Sequence, residues 1–350
     1  MIAINGRFLT QELTGVQRFA YEVTCLLKKK YGDEVIIITP QCKISKTDTF
    51  QLETTQTGHF SGYIWEQLEL PKFLKEIGSP LLVNFCNMAP VYYNNKISTI
   101  HDITYEKYPD DYPFKMRFLY KNMIPYICRS SKHILTVSEF SKREIVEKYK
   151  LKQDSISVVY NAASPLFHYT YDHNLSTKKY ILAFASTGQN KNSEMIFKTF
   201  EVIRKSRQDI WLYIIGNCHR INEYKKYRYD DHIVFLGRIS DENLIRYYSN
   251  ACVFFYPSLY EGFGIPVIEA QACCCPVVAS NVTTFPEILK NSAVLVAPDN
   301  LNEMVNRIQT IIDDDEVRTE MIRKGNENCK RFTWEYSCVK IIQIVDNLLK

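Results

Sequence analysis

Two carboxylates, Glu261 and Glu269, stand eight residues apart around a turn of sequence Glu261-Gly262-Phe263-Gly264. An ionised carboxylate only accepts hydrogen bonds, so each suits the hydroxyl pair of a ribose or hexose edge. Glycine lets the backbone reach φ > 0 and lets a ligand approach with no Cβ in the way. Pro266 follows, a residue that opens helices because its missing N–H is no loss there. The start of such a helix presents unpaired N–H groups and a partial positive charge, which together attract a phosphate. Amides for phosphate and carboxylates for diols fit a nucleotide sugar. The same pattern also fits a routine strand-to-helix turn, with a Glu that merely complements the helix dipole.

Other residues have the right chemistry at the right kind of place. Gly15 opens a helix directly after the loop that follows the first strand. Lys191 is the only cation in the loop at 186–192, where it can neutralise a diphosphate or simply face water. His101-Asp102 ends a strand, and ligands of open α/β sheets bind at the C-terminal ends of strands. Three consecutive aspartates, 313–315, suggest a metal but read better as a helix end and an N-cap. The helix at 113–131 mixes Lys115, Arg117, Lys121 and Arg129 with aromatics. It is either a domain helix with one apolar face or a segment able to lie on a lipid surface.

The elements that must position these residues alternate strand and helix. Short apolar runs at 2–4, 35–39, 81–85, 97–100, 133–137 and 158–161 read as buried parallel strands. Helices are expected at 15–30, with an apolar stripe of Val16, Phe19, Ala20, Val23, Leu26 and Leu27, and at 65–77. The stretch 41–58 is polar and reads as a loop. The alternation restarts with strands at 180–185, 211–215, 233–236, 252–256 and 277–279, then a terminal helix at 337–350. This predicts two Rossmann-like domains, 1–168 and 169–336.

Composition narrows the class. At 350 residues the chain can bury two cores. A net charge of +4 is too small to argue for nucleic acid. No run reaches the length of a membrane span, and the polar residues that follow the first strand give no expectation of a secretory leader. The eleven cysteines are odd in number and scattered, with three consecutive at 273–275. They read as reduced small hydrophobes of a cytoplasmic protein.

The string SLYEGFGIPVIEA at 258–270 resembles the E-x7-E motif of retaining glycosyltransferases of family 4 (group 1). GRFLTQELTGVQRFAYE, HDITYEKYP, TVSEFSKREI and the pair Pro286-Glu287 extend the resemblance over nearly the whole chain. It implies a GT-B fold, two Rossmann-like domains facing a central cleft, with the C-terminal helix crossing back to the first domain. It implies that Glu261 and His101 face the donor sugar, with Asp102 supporting His101. It implies that the amides of Gly15 with Val16, and of Phe263, Gly264 and Ile265, meet sugar and phosphate, and that Glu269 holds the ribose. Lys191-Asn192 matches the family's diphosphate-binding pair. Ser186 stands where the family usually has an Arg, so a diphosphate contact is lacking or comes from Arg238. Gly237-Arg238-Ile239 resembles the segment that meets the nucleobase. Cys274 replaces a usual Gly, which implies a packing change behind the site.

The activity so implied is transfer of a hexose, with mannose favoured by the N-terminal loop, from a GDP- or UDP-linked donor. The acceptor is a glycan or lipid-linked glycan of bacterial surface polysaccharide assembly, the anomeric configuration is retained, and no metal or other cofactor is expected. Contact with the inner face of the cell membrane would run through 113–131. The rival readings are a nucleotide-sugar epimerase of the same fold and a non-catalytic nucleotide-sugar binding protein.

Overall fold

The computed structural model describes residues 1–42, 52–217 and 222–350. These form two compact units, Met1–Asn161 with Trp334–Lys350, and Ala162–Thr333.

The first unit is built on seven parallel strands: β1 (Ile2–Asn5), β2 (Val35–Pro40), β3 (Thr55–Thr57), β4 (Leu81–Asn84), β5 (Lys96–Thr99), β6 (His133–Thr136) and β7 (Ile156–Val158). Their order is β3-β2-β1-β4-β5-β6-β7, so the chain reverses direction across the sheet between β1 and β4. β1 and β4 are buried at every position, each a run of three apolar residues that ends in a buried Asn. The Gly15–Tyr31 helix covers the sheet with Phe19, Ala20, Val23 and Leu27. β3 falls inside the stretch read as a polar loop, because three exposed or half-exposed residues of an edge strand carry no apolar signal. Residues 43–51 of that stretch lie outside the described residues.

The helix expected at 65–77 is present from Gly62 to Glu76, but it is not regular. It runs as Gly62–Ile64, a π-turn Trp65–Glu69, and Leu70–Glu76 with Pro71 at its start. Pro71 has no N–H to continue the i→i−4 ladder, which is where a regular helix would fail. The π-turn carries Glu66, fully buried, toward Arg7 at 3.3 Å and Asn5 Nδ2 at 2.5 Å.

The second unit holds β8 (Lys179–Phe184), β9 (Ile210–Ile215), β10 (Ile233–Gly237), β11 (Val253–Tyr256), β12 (Val277–Ser280) and β13 (Val294–Val296). All pairings are parallel, in the order β10-β9-β8-β11-β12-β13. The direction of winding reverses between β8 and β11. The core joins Ile181, Ala183, Leu212, Ile214 and Phe255 of the strands to Phe197 and Phe200 of the Ser193–Ser206 helix.

The boundary expected at 168/169 falls at Asn161/Ala162. The intervening residues are held by the second unit. Phe167 packs on Tyr248 at 6.4 Å between ring centroids, and just beyond these residues the Thr170 N–H donates to Ser249 Oγ at 2.9 Å. The terminal helix begins at Trp334 and belongs to the first unit. Trp334 meets Phe19 at 6.0 Å, Ser337 Oγ donates to Tyr160 O at 2.6 Å, and Tyr31 OH donates to Asp346 Oδ1 at 2.8 Å. The described cysteines are all free. Among the described residues no helix is long and apolar enough to cross a membrane.

Candidate active site

β8 and β11 pair through Val253↔Ile181, Phe254↔Leu182 and Phe255↔Ala183. The loops leaving their C-terminal ends therefore meet at the reversal point of the sheet, the crevice where open α/β sheets take ligands. The loop after β8 is folded on itself by serines. Gly188 N–H donates to Ser186 Oγ at 3.2 Å, and Ser193 Oγ donates to Ser186 O at 2.9 Å. It ends at Asn192, which is left-handed at φ 53° and starts the Ser193–Ser206 helix. Asn tolerates that conformation better than most residues. Its amide also ties the two loops together, donating to Pro257 O at 3.1 Å and Pro298 O at 3.2 Å. Asn190 O accepts from Leu259 N–H at 2.7 Å and from Ser258 Oγ at 2.8 Å.

This stitching brings Lys191 onto Glu261. Lys191 Nζ lies 2.5 Å from Glu261 Oε1 and donates to Tyr256 OH at 3.0 Å. Tyr256 OH donates to the same Glu261 oxygen at 2.6 Å, and Ser258 Oγ lies 2.8 Å from it. The Lys191 side chain is 27% exposed and that of Glu261 13%. Burial alone would lower the Lys191 pKa. The Glu261 charge and Tyr256 outweigh it and hold the pKa above the ordinary lysine value. The ammonium is thus charged at neutral pH and sits on an acidic partner that a phosphate could replace.

Gly264 caps the Ile265–Ala272 helix at φ 87°. A Cβ there would come within 2.7 Å of the Phe285 ring, so both conformation and space demand glycine. Phe263 is buried edge-on against Phe332 at 5.4 Å, so its share in the turn is its backbone. Ile265 is the first residue of the helix. Glu269 lies on this helix, only 5% exposed. The nearby Tyr248 hydroxyl is pushed well up, first by burial and then by the Glu269 charge. Arg238 and Ile239 follow β10, the edge strand, with β9 standing between β10 and β8. The described partners of Lys191 are Glu261 and Tyr256.

The first unit holds the remaining candidates. Gly15 and Val16 are the first two residues of the Gly15–Tyr31 helix, and the Thr14 side chain does not cap it. His101 is buried just beyond β5, its ring edge-on to Phe19 at 5.2 Å. Its Nε2 is 2.9 Å from Phe85 O, so Nε2 carries the proton and Nδ1 is the acceptor. Burial lowers its pKa, opposed by Phe85 O and the Asp102 charge, and the ring is neutral. A neutral ring with an acceptor nitrogen can take a sugar hydroxyl. Asp102, expected to support His101, instead accepts from Thr104 N–H at 2.9 Å and Thr104 Oγ1 at 2.6 Å. It reaches His101 only as a neighbouring charge, because an Asp two residues before a Thr folds back as a local cap.

The aspartate run 313–315 is occupied structurally. Asp313 pairs with Arg207, and Asp314 caps the Asp315–Cys329 helix through Glu316 and Val317 N–H at 3.0 Å each. Among the described residues no three His, Cys, Asp or Glu side chains are grouped to hold a metal. Sequence reasoning missed Tyr256, Ser258 and Asn190. A tyrosine ending a buried apolar strand is the one visible signal, since its hydroxyl needs a partner where the strand stops.

Residues 171–328 match the family model described as glycosyl transferases group 1, and residues 13–165 that of glycosyltransferase family 4. The chain is 30% identical over 255 residues to the O-antigen chain mannosyltransferase RfbU of Salmonella typhimurium, covering 71% of this chain and 70% of that one. It is 28% identical over 255 residues to O-antigen chain mannosyltransferase B of Escherichia coli, covering 68% and 67%. Its fold matches the crystal structure of Anabaena HepE in complex with UDP and glucose, with a TM-score of 0.75 at 14% identity over 99% of this chain and 98% of that one. The chain belongs to the group 1 glycosyltransferases, and its two parallel-sheet units are those of the GT-B fold.

Proposed function

We propose that the protein transfers a hexose, with mannose favoured, from a nucleoside diphosphate sugar to a hydroxyl of a glycan or lipid-linked glycan, retaining the anomeric configuration. The observation that carries this reading is the Lys191–Glu261 pair at the reversal point of the second sheet, beside the left-handed Gly264 turn. In this scheme Lys191 and the amides at Gly264 and Ile265 hold the diphosphate. Glu261 accepts from the sugar hydroxyls, and Glu269 from the ribose. His101 offers Nδ1 to the sugar, and the Gly15 and Val16 amides meet the phosphate. The bond from the anomeric carbon to phosphate breaks and the bond to the acceptor oxygen forms on the same face. The acceptor proton passes to the departing diphosphate. Fixed cations and amides at that leaving group supply the stabilisation without a metal.

The relatives named as O-antigen mannosyltransferases support mannose and bacterial surface polysaccharide, and hence a GDP-linked donor. A structural neighbour crystallised with UDP and glucose supports the alternative base. The Phe114–Ser130 helix contains no acid and exposes Phe114 and Phe118, which fits peripheral contact with an anionic membrane. The test is product formation from a panel of GDP- and UDP-hexoses with lipid-linked glycan acceptors, with and without EDTA. Transfer that survives EDTA is expected. Conversion of the donor without acceptor would instead show an epimerase, and no turnover of any donor would leave a binding protein.

A further inference from the structure

Glu261 Oε1 faces three donors, Lys191 Nζ at 2.5 Å, Tyr256 OH at 2.6 Å and Ser258 Oγ at 2.8 Å. One carboxylate oxygen offers about two acceptor sites. The three donors are not equivalent. Ser258 has a single hydroxyl proton, and Asn190 O lies as close to its Oγ as Glu261 does, at 2.8 Å. Lys191 is a long, partly exposed side chain. Tyr256 is 2% exposed, its ring stacked on Phe254 at 5.5 Å and edge-on to Phe285 at 5.9 Å and Phe184 at 6.2 Å. Its hydroxyl accepts from Lys191 at 3.0 Å while donating to Glu261.

We propose that Tyr256 is a positioning residue that holds Glu261 in place while Lys191 passes from Glu261 to the diphosphate of the donor. This rests on the reading of Lys191 and Glu261 given above. Without ligand, Lys191 is neutralised by Glu261. A diphosphate carries more negative charge than one carboxylate and draws the flexible ammonium away. Glu261 then loses its shortest contact at the moment it must meet the sugar. The Tyr256 O–H, on a ring that packing cannot release, keeps the carboxylate oxygen where it was. Tyr256 transfers no proton in this role. Burial first, and then the Glu261 charge, raise its pKa and keep the hydroxyl protonated.

Tyr256→Phe removes one oxygen and keeps the ring. It should lower kcat by about tenfold or more, the worth of a hydrogen bond to a charged group. Donor KM and the Kd of the free nucleoside diphosphate should stay within about threefold, because Lys191 still reaches the phosphate. In a Glu261→Gln background the same change should alter kcat by less than about twofold, because Tyr256 acts through Glu261. The melting temperature of each variant is measured alongside. An unchanged kcat, with or without a lower melting temperature, assigns Tyr256 to packing and overturns the inference. So does an equal loss in both backgrounds. If Lys191→Met and Glu261→Gln both keep wild-type turnover, the site reading itself falls and this inference with it. If those two lose turnover and Tyr256→Phe does not, only the inference falls.

Discussion

Glu261→Gln should tighten the binding of a free nucleoside diphosphate while weakening catalysis. The reason is competition for Lys191. Its Nζ sits 2.5 Å from Glu261 Oε1 with both side chains largely buried, so on the proposed reading a phosphate must displace a carboxylate already in contact. A hydrogen bond to a charged group contributes roughly 1.5–3 kcal/mol and a neutral one roughly 0.5–1.5 kcal/mol. Replacing the carboxylate by an amide therefore lowers the cost of freeing Lys191 by about 1–1.5 kcal/mol, or close to tenfold in Kd. Turnover moves the other way, because an amide accepts more weakly from the sugar hydroxyls.

The pH dependence separates this from a general loosening of the site. In the wild-type protein the Glu261 charge and Tyr256 outweigh burial and keep the Lys191 pKa above 10.5. A raised pKa means that the charged form persists through neutral and mildly alkaline pH, so nucleotide affinity should be flat there. In Glu261→Gln the main opposing charge is gone and burial pulls the ammonium pKa down. Affinity should then fall off at lower pH than in the wild type. Isothermal titration with GDP and UDP between pH 6 and pH 9.5 reads both effects. Weaker or unchanged nucleotide binding in Glu261→Gln at pH 7 would refute the competition.

Glu269→Ala should weaken the free nucleoside diphosphate itself by about 1.5–3 kcal/mol, since a charged acceptor for the ribose is lost; unchanged affinity by calorimetry would remove that role. Lys96 is fully buried, donates to Tyr93 O and Ser130 Oγ at 2.7 Å each, and has its pKa lowered from 10.5 to about 8, chiefly by burial. Between those two pH values the unfolded chain binds a proton that the folded chain does not, so this group makes stability rise with pH across that window and adds a constant penalty below it. Lys96→Met should flatten the slope by an amount on the order of 1–3 kcal/mol, read from urea melts at pH 7, 9 and 10.5; an unchanged slope would show that Lys96 stays charged. Cys274 is left-handed at φ 60°, where a Cβ costs roughly 1–2 kcal/mol, partly offset by the unfolded-state entropy of glycine. Cys274→Gly should therefore raise stability by about 0.5–1 kcal/mol, and a lower melting temperature would show that the contact of Cys274 Sγ with Asn326 matters more.

Much of the architecture was legible because both sheets are parallel and buried on both faces. Such strands must be short unbroken apolar runs, and β1, β8 and β11 read that way directly. What escaped were the elements with weak patterns. β3 is too short and too exposed to show alternation, and the π-turn at Trp65–Glu69 has the composition of an ordinary helix. The domain boundary was placed late because Phe167 looks like a linker residue. Its attachment to Tyr248 is visible only in three dimensions.

The candidate site shows the same division at the scale of single groups. Lys191 and Glu261 were each visible, one as a lone cation in a loop and the other as a carboxylate beside a glycine turn. Their contact was not, because it depends on β11 lying beside β8, and sequence order puts β9 and β10 between them. Pairing across that gap changes the chemistry assigned to each residue. A solvated Lys191 would be a passive cation awaiting phosphate. A Lys191 already bonded to Glu261 and Tyr256 is a cation whose release has a cost, set by two named hydrogen bonds. The same arrangement avoids a worse cost, because an unpaired, largely buried ammonium would be pulled toward neutrality. Glu261 keeps Lys191 charged until a stronger anion arrives. The reversal point of the sheet therefore does more than open a crevice. It places an anionic side chain from one loop against a cationic one from another, so that on the proposed reading nucleotide binding and the placement of Glu261 are one coupled equilibrium.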